Sequence, residues 1–141
     1  MTDEGHIVGN HTVNHPSLPD VSDEKIKEEL QELSKMYYDL TKKEMKFFRP
    51  PMGEYSERTL KVTNDLGYTN VFWSFAYRDW ETNNQKGTGY AYSQIMDGVH
   101  DGAILLLHAV SKDNAEILDK VIKDLKSAGY TFKSLSDFPK N

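Results

Sequence analysis

Cysteine is absent from the 141 residues. That excludes disulfides, a thiolate nucleophile and thiolate metal ligands, so any metal would have to be held by His, Asp or Glu. Long apolar runs are absent too. The longest, Ala103-Ile104-Leu105-Leu106-Leu107, falls far short of the roughly 18 residues that suggest a membrane span. Basic residues are in deficit, with 17 Lys and Arg against 22 Asp and Glu and a net charge of -5. A pI near 5.5 argues against nucleic acid or an anionic membrane as partner, since both need a clustered basic face. A neutral or cationic substrate is easier to accommodate. The N-terminus lacks the basic region and apolar stretch of a signal peptide, so no targeting signal is carried here. What remains is a polar globular composition, 38% hydrophobic with mean hydropathy -0.67, at a length suited to one domain with a core.

Along the chain, periodicity and punctuation predict alternating strands and helices. Residues 2–5 read as the tail of a helix capped by Gly5. Ile7 and Val8 read as a short strand ended by Gly9-Asn10. Ile26, Leu30, Leu33, Tyr37 and Leu40 recur at spacings of three and four, with Asp23 and Glu24 in the first turn, where the helix dipole favours acids. Phe47-Phe48 is a brief strand entering Arg49-Pro50-Pro51-Met52-Gly53, and Ser56 can cap a helix carrying Leu60, Thr63 and Leu66 up to Gly67. Residues 71–76 are rich in aromatic and β-branched side chains and predict a strand buried on both faces. A polar loop over 81–89 precedes a short helix with Ile95, Met96 and Val99. Residues 103–107 predict another buried strand. Asn114 is a candidate cap for a helix whose Ile117, Leu118, Val121, Leu125 and Ala128 face inward, and residues 131–135 predict a closing strand. Five strands separated by helices imply an α/β fold with parallel pairing and right-handed crossovers.

The polar residues that stand out share one kind of position. His11 and His15, Arg49, Asp79 and His108 each follow a strand, in a strand-to-helix loop. In parallel α/β folds such loops open on one end of the sheet, where ligands bind, so these residues are expected to meet in space. His11 and His15 are four apart and can share one ion; the plainer reading is a chance pair in a polar loop. His108 is either a hydrogen-bonded core histidine or a general acid or base. Arg49 either bridges a surface carboxylate or pins an acid in its ionised form. Asp79-Trp80 is either an ordinary turn or an acid orienting a histidine beside an aromatic wall. His6 and His100 have no supporting context.

Four motifs, His11-Thr12-Val13-Asn14-His15-Pro16, Arg49-Pro50-Pro51-Met52-Gly53, Asp79-Trp80 and Leu106-Leu107-His108, resemble in order and spacing the second to fifth motifs of the polysaccharide deacetylases, carbohydrate esterase family 4. The text around Val71-Phe72-Trp73-Ser74, Asn83-Asn84-Gln85-Lys86-Gly87 and Ser111-Lys112-Asp113-Asn114-Ala115-Glu116 resembles the sporulation branch, the delta-lactam-biosynthetic de-N-acetylases acting on muramic acid residues of cortex peptidoglycan. The resemblance implies a distorted (β/α) barrel and metal-assisted hydrolysis of an N-acetyl group on an amino sugar of peptidoglycan or a related glycan. It implies that His11 and His15 hold zinc or another divalent transition metal. His108 would protonate the leaving amine and Asp79 would tune it. Trp80 and Leu106 would line the acetyl pocket, Pro50, Pro51 and Gly53 would contact substrate, and Arg49 would hold the catalytic base aspartate.

The family's first motif, Thr-Phe-Asp-Asp-Gly or a close variant, has no match before His11. With a strand count of five where such a barrel needs seven or eight, residues 1–141 are expected to be the C-terminal portion of a catalytic domain, N-terminally incomplete. An open barrel side would expose edge backbone and invite a homodimer. The longer protein is expected to act outside the cytoplasm, at the cell wall or spore envelope. The competing expectation is a truncated, catalytically inactive fragment that binds metal or glycan.

Overall fold

A computed structural model describes residues 1–138. The chain divides into two compact units, Met1–Phe72 and Trp73–Asn141, each with its own apolar cluster.

In the first unit the helix starts at Asp23, in keeping with the acids of its predicted first turn. The Ser22 hydroxyl accepts from the Lys25 amide at 3.2 Å, satisfying one of the N–H groups that a helix start leaves without a partner, and α1 runs Asp23–Thr41. Lys42 ends it in the left-handed conformation, φ 58°. Ile26 and Leu30 are fully buried against Leu18, Phe48 and Val62. Leu40, expected on that face, is 85% exposed, because the helix has run past the cluster by its last turn. Strand β1 (Phe47–Phe48) pairs in parallel with β2 (Thr69–Asn70). Between them lie the Arg49-Pro50-Pro51-Met52-Gly53 loop and α2, Glu57–Asp65. Ser56 and Thr59 close α2's first turn reciprocally, each side chain accepting from the other's backbone N–H, in the manner of a capping box.

In the second unit, β3 (Phe75–Ala76) pairs in parallel with β4 (Leu105–Leu106). Helix α3 (Thr88–Gly98) packs on α4 (Lys112–Ser127). Ala91, Ile95, Ile117, Val121 and Leu125 form the cluster, with Phe75, Leu105 and Leu107 packed against it. Leu105 and Leu107 both reach it because side chains two apart share a face of an extended strand.

Several predicted elements differ. Residues 71–76 do not form one strand buried on both faces: pairing stops at Asn70 and resumes at Phe75. The aromatic rings pack individually instead, Phe72 against Tyr55 at 4.8 Å and Phe75 against the end of α3. Residues 103–107 contribute a two-residue strand that is half-buried. The strand expected at Ile7 and Val8 reduces to a single parallel bridge between Asn10 and Phe48. Residues 2–4 are one 3₁₀ turn ended by Gly5, φ 85°. The polar loop after Glu81 ends sooner than expected, since α3 already begins at Thr88. Residues 131–135 form no strand. There Ser134 and Asp137 satisfy local amides and close a 3₁₀ turn, Leu135–Asp137, the alternative that Ser and Asp side chains offer to a ladder. The last helix is capped by Ser111 and not by Asn114, whose amide the Ser111 hydroxyl accepts at 3.2 Å. On that helix Leu118 is 45% exposed and Ala128 lies on the surface. The parallel pairing of all four strands agrees with the α/β expectation.

Gly98 gives the packing of α3 a direct test. A Cβ built on it would lie 2.1 Å from a ring carbon of Phe75, a side chain packed against the cluster. Glycine to alanine ordinarily favours a helix by about 1 kcal/mol. Here Gly98→Ala is expected to reverse that sign and destabilise by about 1–3 kcal/mol through overpacking, read as a lower urea midpoint with unchanged slope.

Candidate functional site

The His11-to-His15 loop is set by two side chains that are not histidines. Asn10 is completely buried, and its amide donates to the Leu30 carbonyl at 2.9 Å, the Ser34 hydroxyl at 3.2 Å and the Tyr68 hydroxyl at 3.1 Å. Its Oδ1 accepts from the Thr12 amide at 2.9 Å. Glu29 on α1, 1% exposed, takes the backbone N–H groups of Val13 and Asn14 at 3.0 and 2.8 Å and the Asn14 side-chain amide at 2.9 Å. Lys25 adds an ion pair at 3.0 Å. Between these anchors Thr12 and His15 take left-handed backbone angles, φ 68° and 55°, costly for residues with a Cβ. The Thr12 hydroxyl accepts from the His15 amide at 3.0 Å. The pair therefore sits in a braced loop and not on a turn of helix.

The two imidazoles face each other edge to face, centroids 4.8 Å apart and planes at 81°. His11 Nδ1 lies 2.5 Å from the Arg49 carbonyl oxygen. A carbonyl only accepts, so Nδ1 carries the proton and Nε2 the lone pair, the usual state of a metal-ligating imidazole held by a backbone oxygen. Two converging imidazoles, with the tautomer of His11 fixed by the Arg49 carbonyl, fit a divalent transition metal. Among the described residues no group of three or more His, Asp or Glu that could hold a metal gathers around one point.

Arg49 enters this loop through its backbone. Its amide donates to the Asn10 carbonyl at 3.0 Å, in line with the bridge to Phe48, and its guanidinium, partly buried, has its pKa lowered by that burial. Pro50 and Pro51 are buried. Met52 and Gly53 both take positive φ, 57° and 73°, and Gly53 with Glu54, Tyr55, Ser17, Pro19 and Asp20 lines a shallow depression of about 440 Å³.

In the second unit Asp79, Trp80 and His108 come together. The Asp79 side chain has no exposed surface and three donors. His108 Nδ1 is 2.6 Å from Oδ1, while the His108 backbone N–H at 2.7 Å and the Asn114 amide at 2.6 Å both reach Oδ2. Trp80, half exposed, stands edge to face with the His108 ring at 5.6 Å. His108 is thereby held by a buried carboxylate at Nδ1, and its imidazole keeps 27% of its side-chain surface. Leu106 lies two residues earlier, on β4 beside Ala76. The sequence reading missed Asn10, Glu29, Asn114 and Tyr77. For Asn10 a signal existed, an amide between glycine and histidine in a turn; for the others the decisive contacts are long-range.

Glu29 makes the bracing testable by pH. Burial alone would raise its carboxyl, but the Asn14 side chain and backbone, with Lys25, outweigh it and hold the pKa down to about 2 from 4.5. A depressed folded-state pKa contributes stability that is complete above pH 4.5 and lost as pH falls toward 2. Glu29→Gln is expected to be less stable than the native chain by on the order of 2 kcal/mol at pH 7. Urea midpoints taken from pH 7 downward should converge as pH approaches 2.

The sequence profile described as polysaccharide deacetylase matches residues 1–71. The peptidoglycan-N-acetylmuramic acid deacetylase PdaA of Bacillus subtilis is 51% identical over 138 residues, 97% of this chain and 52% of that protein. The structure of Bacillus subtilis PdaA, a family 4 carbohydrate esterase, superposes with a TM-score of 0.93 at 51% identity, covering 97% of this chain and 59% of that one. BA3943 of Bacillus anthracis, a CE4 family pseudoenzyme, superposes with a TM-score of 0.88 at 27% identity, covering 96% of this chain and 47% of that one. The chain thus spans about half the length of the curated relatives it matches. With this likeness across nearly all its length, and with the paired histidines and the buried Asp79–His108 pair in place, the chain belongs to the polysaccharide deacetylases, carbohydrate esterase family 4.

Proposed function

We propose that this chain carries part of the machinery of a metal-dependent peptidoglycan de-N-acetylase acting on N-acetylmuramic acid residues, with cortex-type peptidoglycan as substrate and the cell wall or spore envelope as its place of action. The observation that carries the reading is the His108–Asp79 pair: a partly exposed imidazole held at Nδ1 by a buried, triply hydrogen-bonded carboxylate. The 51% identity to a named N-acetylmuramic acid deacetylase supports the substrate class.

His11 and His15 would hold zinc or another divalent transition metal, which when bound supplies Lewis-acid polarisation of the acetyl carbonyl and a more acidic water. Orienting those two side chains is the work of Glu29, Asn10 and the Arg49 carbonyl. His108 would give a proton from Nε2 to the amine as the C–N bond breaks, and Asp79 would stabilise the imidazolium that precedes that transfer. Trp80 stands at the ring edge, where an apolar wall suits an acetyl methyl or a sugar face; Leu106 belongs to the same lining. Arg49 would pair with a carboxylate acting as base, and Pro50, Pro51 and Gly53 would shape the substrate side of their loop. The homodimer expected from sequence belongs to the same proposal, and sedimentation equilibrium decides it by mass.

A second reading is favoured by one observation: the described residues supply two imidazoles and no third metal ligand. On that reading the chain binds metal or glycan without turnover, as a pseudoenzyme would. Zinc titration and acetate release separate the two. Zinc is expected to bind at about one site per chain and to be lost in His11→Ala; undiminished binding in that variant would overturn the metal assignment. In a protein that also carries the aspartate motif upstream of these residues, acetate release from N-acetylated peptidoglycan is expected to fall on the order of 10²- to 10⁴-fold in kcat for His108→Ala, with KM little changed, the range for loss of a general acid. Zinc binding with no acetate release even when the aspartate motif is supplied upstream would overturn the first reading in favour of the second.

A further inference from the structure

We propose that Asn114, oriented by Tyr77, is a positioning residue that locks the Asp79 carboxylate and thereby fixes the proton of His108 on Nδ1. The inference rests on the assignment of Asp79 and His108 given above and extends it to two residues on other elements.

Asp79 has more than one way to meet an imidazole. A carboxylate rotates about its last bond, and either oxygen could serve Nδ1 or the amides nearby. The observed arrangement leaves no freedom. Oδ2 takes both the His108 backbone N–H and the Asn114 amide, and Oδ1 is left for Nδ1 alone. Turning the carboxylate would break the two bonds at Oδ2 with no water at hand to replace them, since the side chain is fully buried. His108's backbone donor alone could be kept by a tilted carboxylate. Asn114 removes that option because it approaches from the first turn of α4.

Asn114 has its own ambiguity, as its amide could present oxygen or nitrogen to Asp79. Two contacts decide it. An amide oxygen aimed at the carboxylate would be repelled, and the Tyr77 hydroxyl donates to Asn114 Oδ1 on the other side. Burial, followed by the charge of Asp79, pushes the Tyr77 phenol up to about 12, so it remains a donor through the whole neutral range. The donors therefore point one way, from Tyr77 through the Asn114 amide to Asp79.

A strap holds the two ends of this chain in register. The Asn114 backbone N–H is taken by Ser111 Oγ at 3.2 Å, Ser111 Oγ donates to Gln85 Oε1 at 2.7 Å, and Gln85 Nε2 donates to the Asp79 carbonyl at 3.2 Å and the Glu81 carbonyl at 2.9 Å. The loop bearing Asp79 and the helix bearing Asn114 are thus tied twice, once through side chains at the carboxylate and once through Gln85. Asn114 is 6% exposed and Ser111 1%, so neither is a surface cap. The consequence for chemistry is that Nε2 is the nitrogen presented outward, the position from which a proton reaches a leaving group.

The test reads the tautomer directly. Long-range ¹H–¹⁵N spectra of the full chain at a pH where His108 is neutral, with its signals assigned by their loss in His108→Gln, are expected to show one tautomer, protonated at Nδ1. Asn114→Ala is expected to move the tautomer equilibrium toward Nε2–H by on the order of tenfold, the worth of a hydrogen bond to a charged group, and Tyr77→Phe in the same direction by roughly fivefold, the worth of a bond between neutral groups. If Asn114→Ala does not fold, Tyr77→Phe, which loses one oxygen, decides alone. Variants that fold with the native tautomer while Asp79→Asn shifts it would overturn the role of Asn114 and leave the Asp79–His108 pair standing. A tautomer unmoved by Asp79→Asn would overturn the pair itself.

Discussion

A carboxylate taken out of water must be given donors, and this protein meets that demand twice. Among the described residues Glu29 and Asp79 are the two acids whose side chains are essentially removed from solvent, and each draws a loop onto itself to be satisfied. Glu29 collects three N–H groups from Val13 and Asn14; Asp79 collects three from His108 and Asn114. The loops so collected are the ones that carry the histidines. The geometry of the candidate chemistry is thus a by-product of neutralising two buried charges. Breaking either arrangement from one side would strand the acid, which costs more than the hydrogen bonds themselves.

The arrangement also answers a problem set by the strands. Each ladder is two residues long, too short to aim the loops that leave it. Strand pairing brings Arg49 beside Asn10 and places His108 after Leu106, but direction comes from side chains: Asn10 reaching Leu30, Ser34 and Tyr68, and Gln85 bridging the Asp79 loop to Ser111. Helices supply the rigid backing. Both helices that hold the acids' partners, α1 and α4, begin on a serine cap.

Much of this was legible in the residues. Ser56 announced its helix, because a short polar side chain before an apolar period has few other roles. The histidines, Arg49 and Asp79 could be placed after strands because the strand-to-helix order is written in the apolar pattern. The two buried acids were divided in this respect: Asp79 sits in a motif, whereas Glu29 stands among solvent-facing charges of α1, next to Leu30 and three residues past Ile26, and is buried only because a loop from elsewhere in the chain lies over it. Asn114 was misread for a local reason. Ser111 and Asn114 are both good cap residues three apart, and nothing within that window says which one turns inward. Residues 71–76 were misread because aromatic rings raise strand propensity whether they pack in a ladder or singly.

The braced loop has a dynamic consequence. The amides of Val13 and Asn14 lie in irregular backbone between the left-handed Thr12 and His15, yet both end on the buried Glu29 carboxylate, while the strands offer ladders of two residues. Exchange of amide protons with solvent requires the donor to part from its acceptor, and local opening is easiest where few bonds must break together. The loop between the two histidines therefore belongs to the slow-exchanging part of the molecule and opens with α1, so that its protection tracks the helix and not the strands beside it.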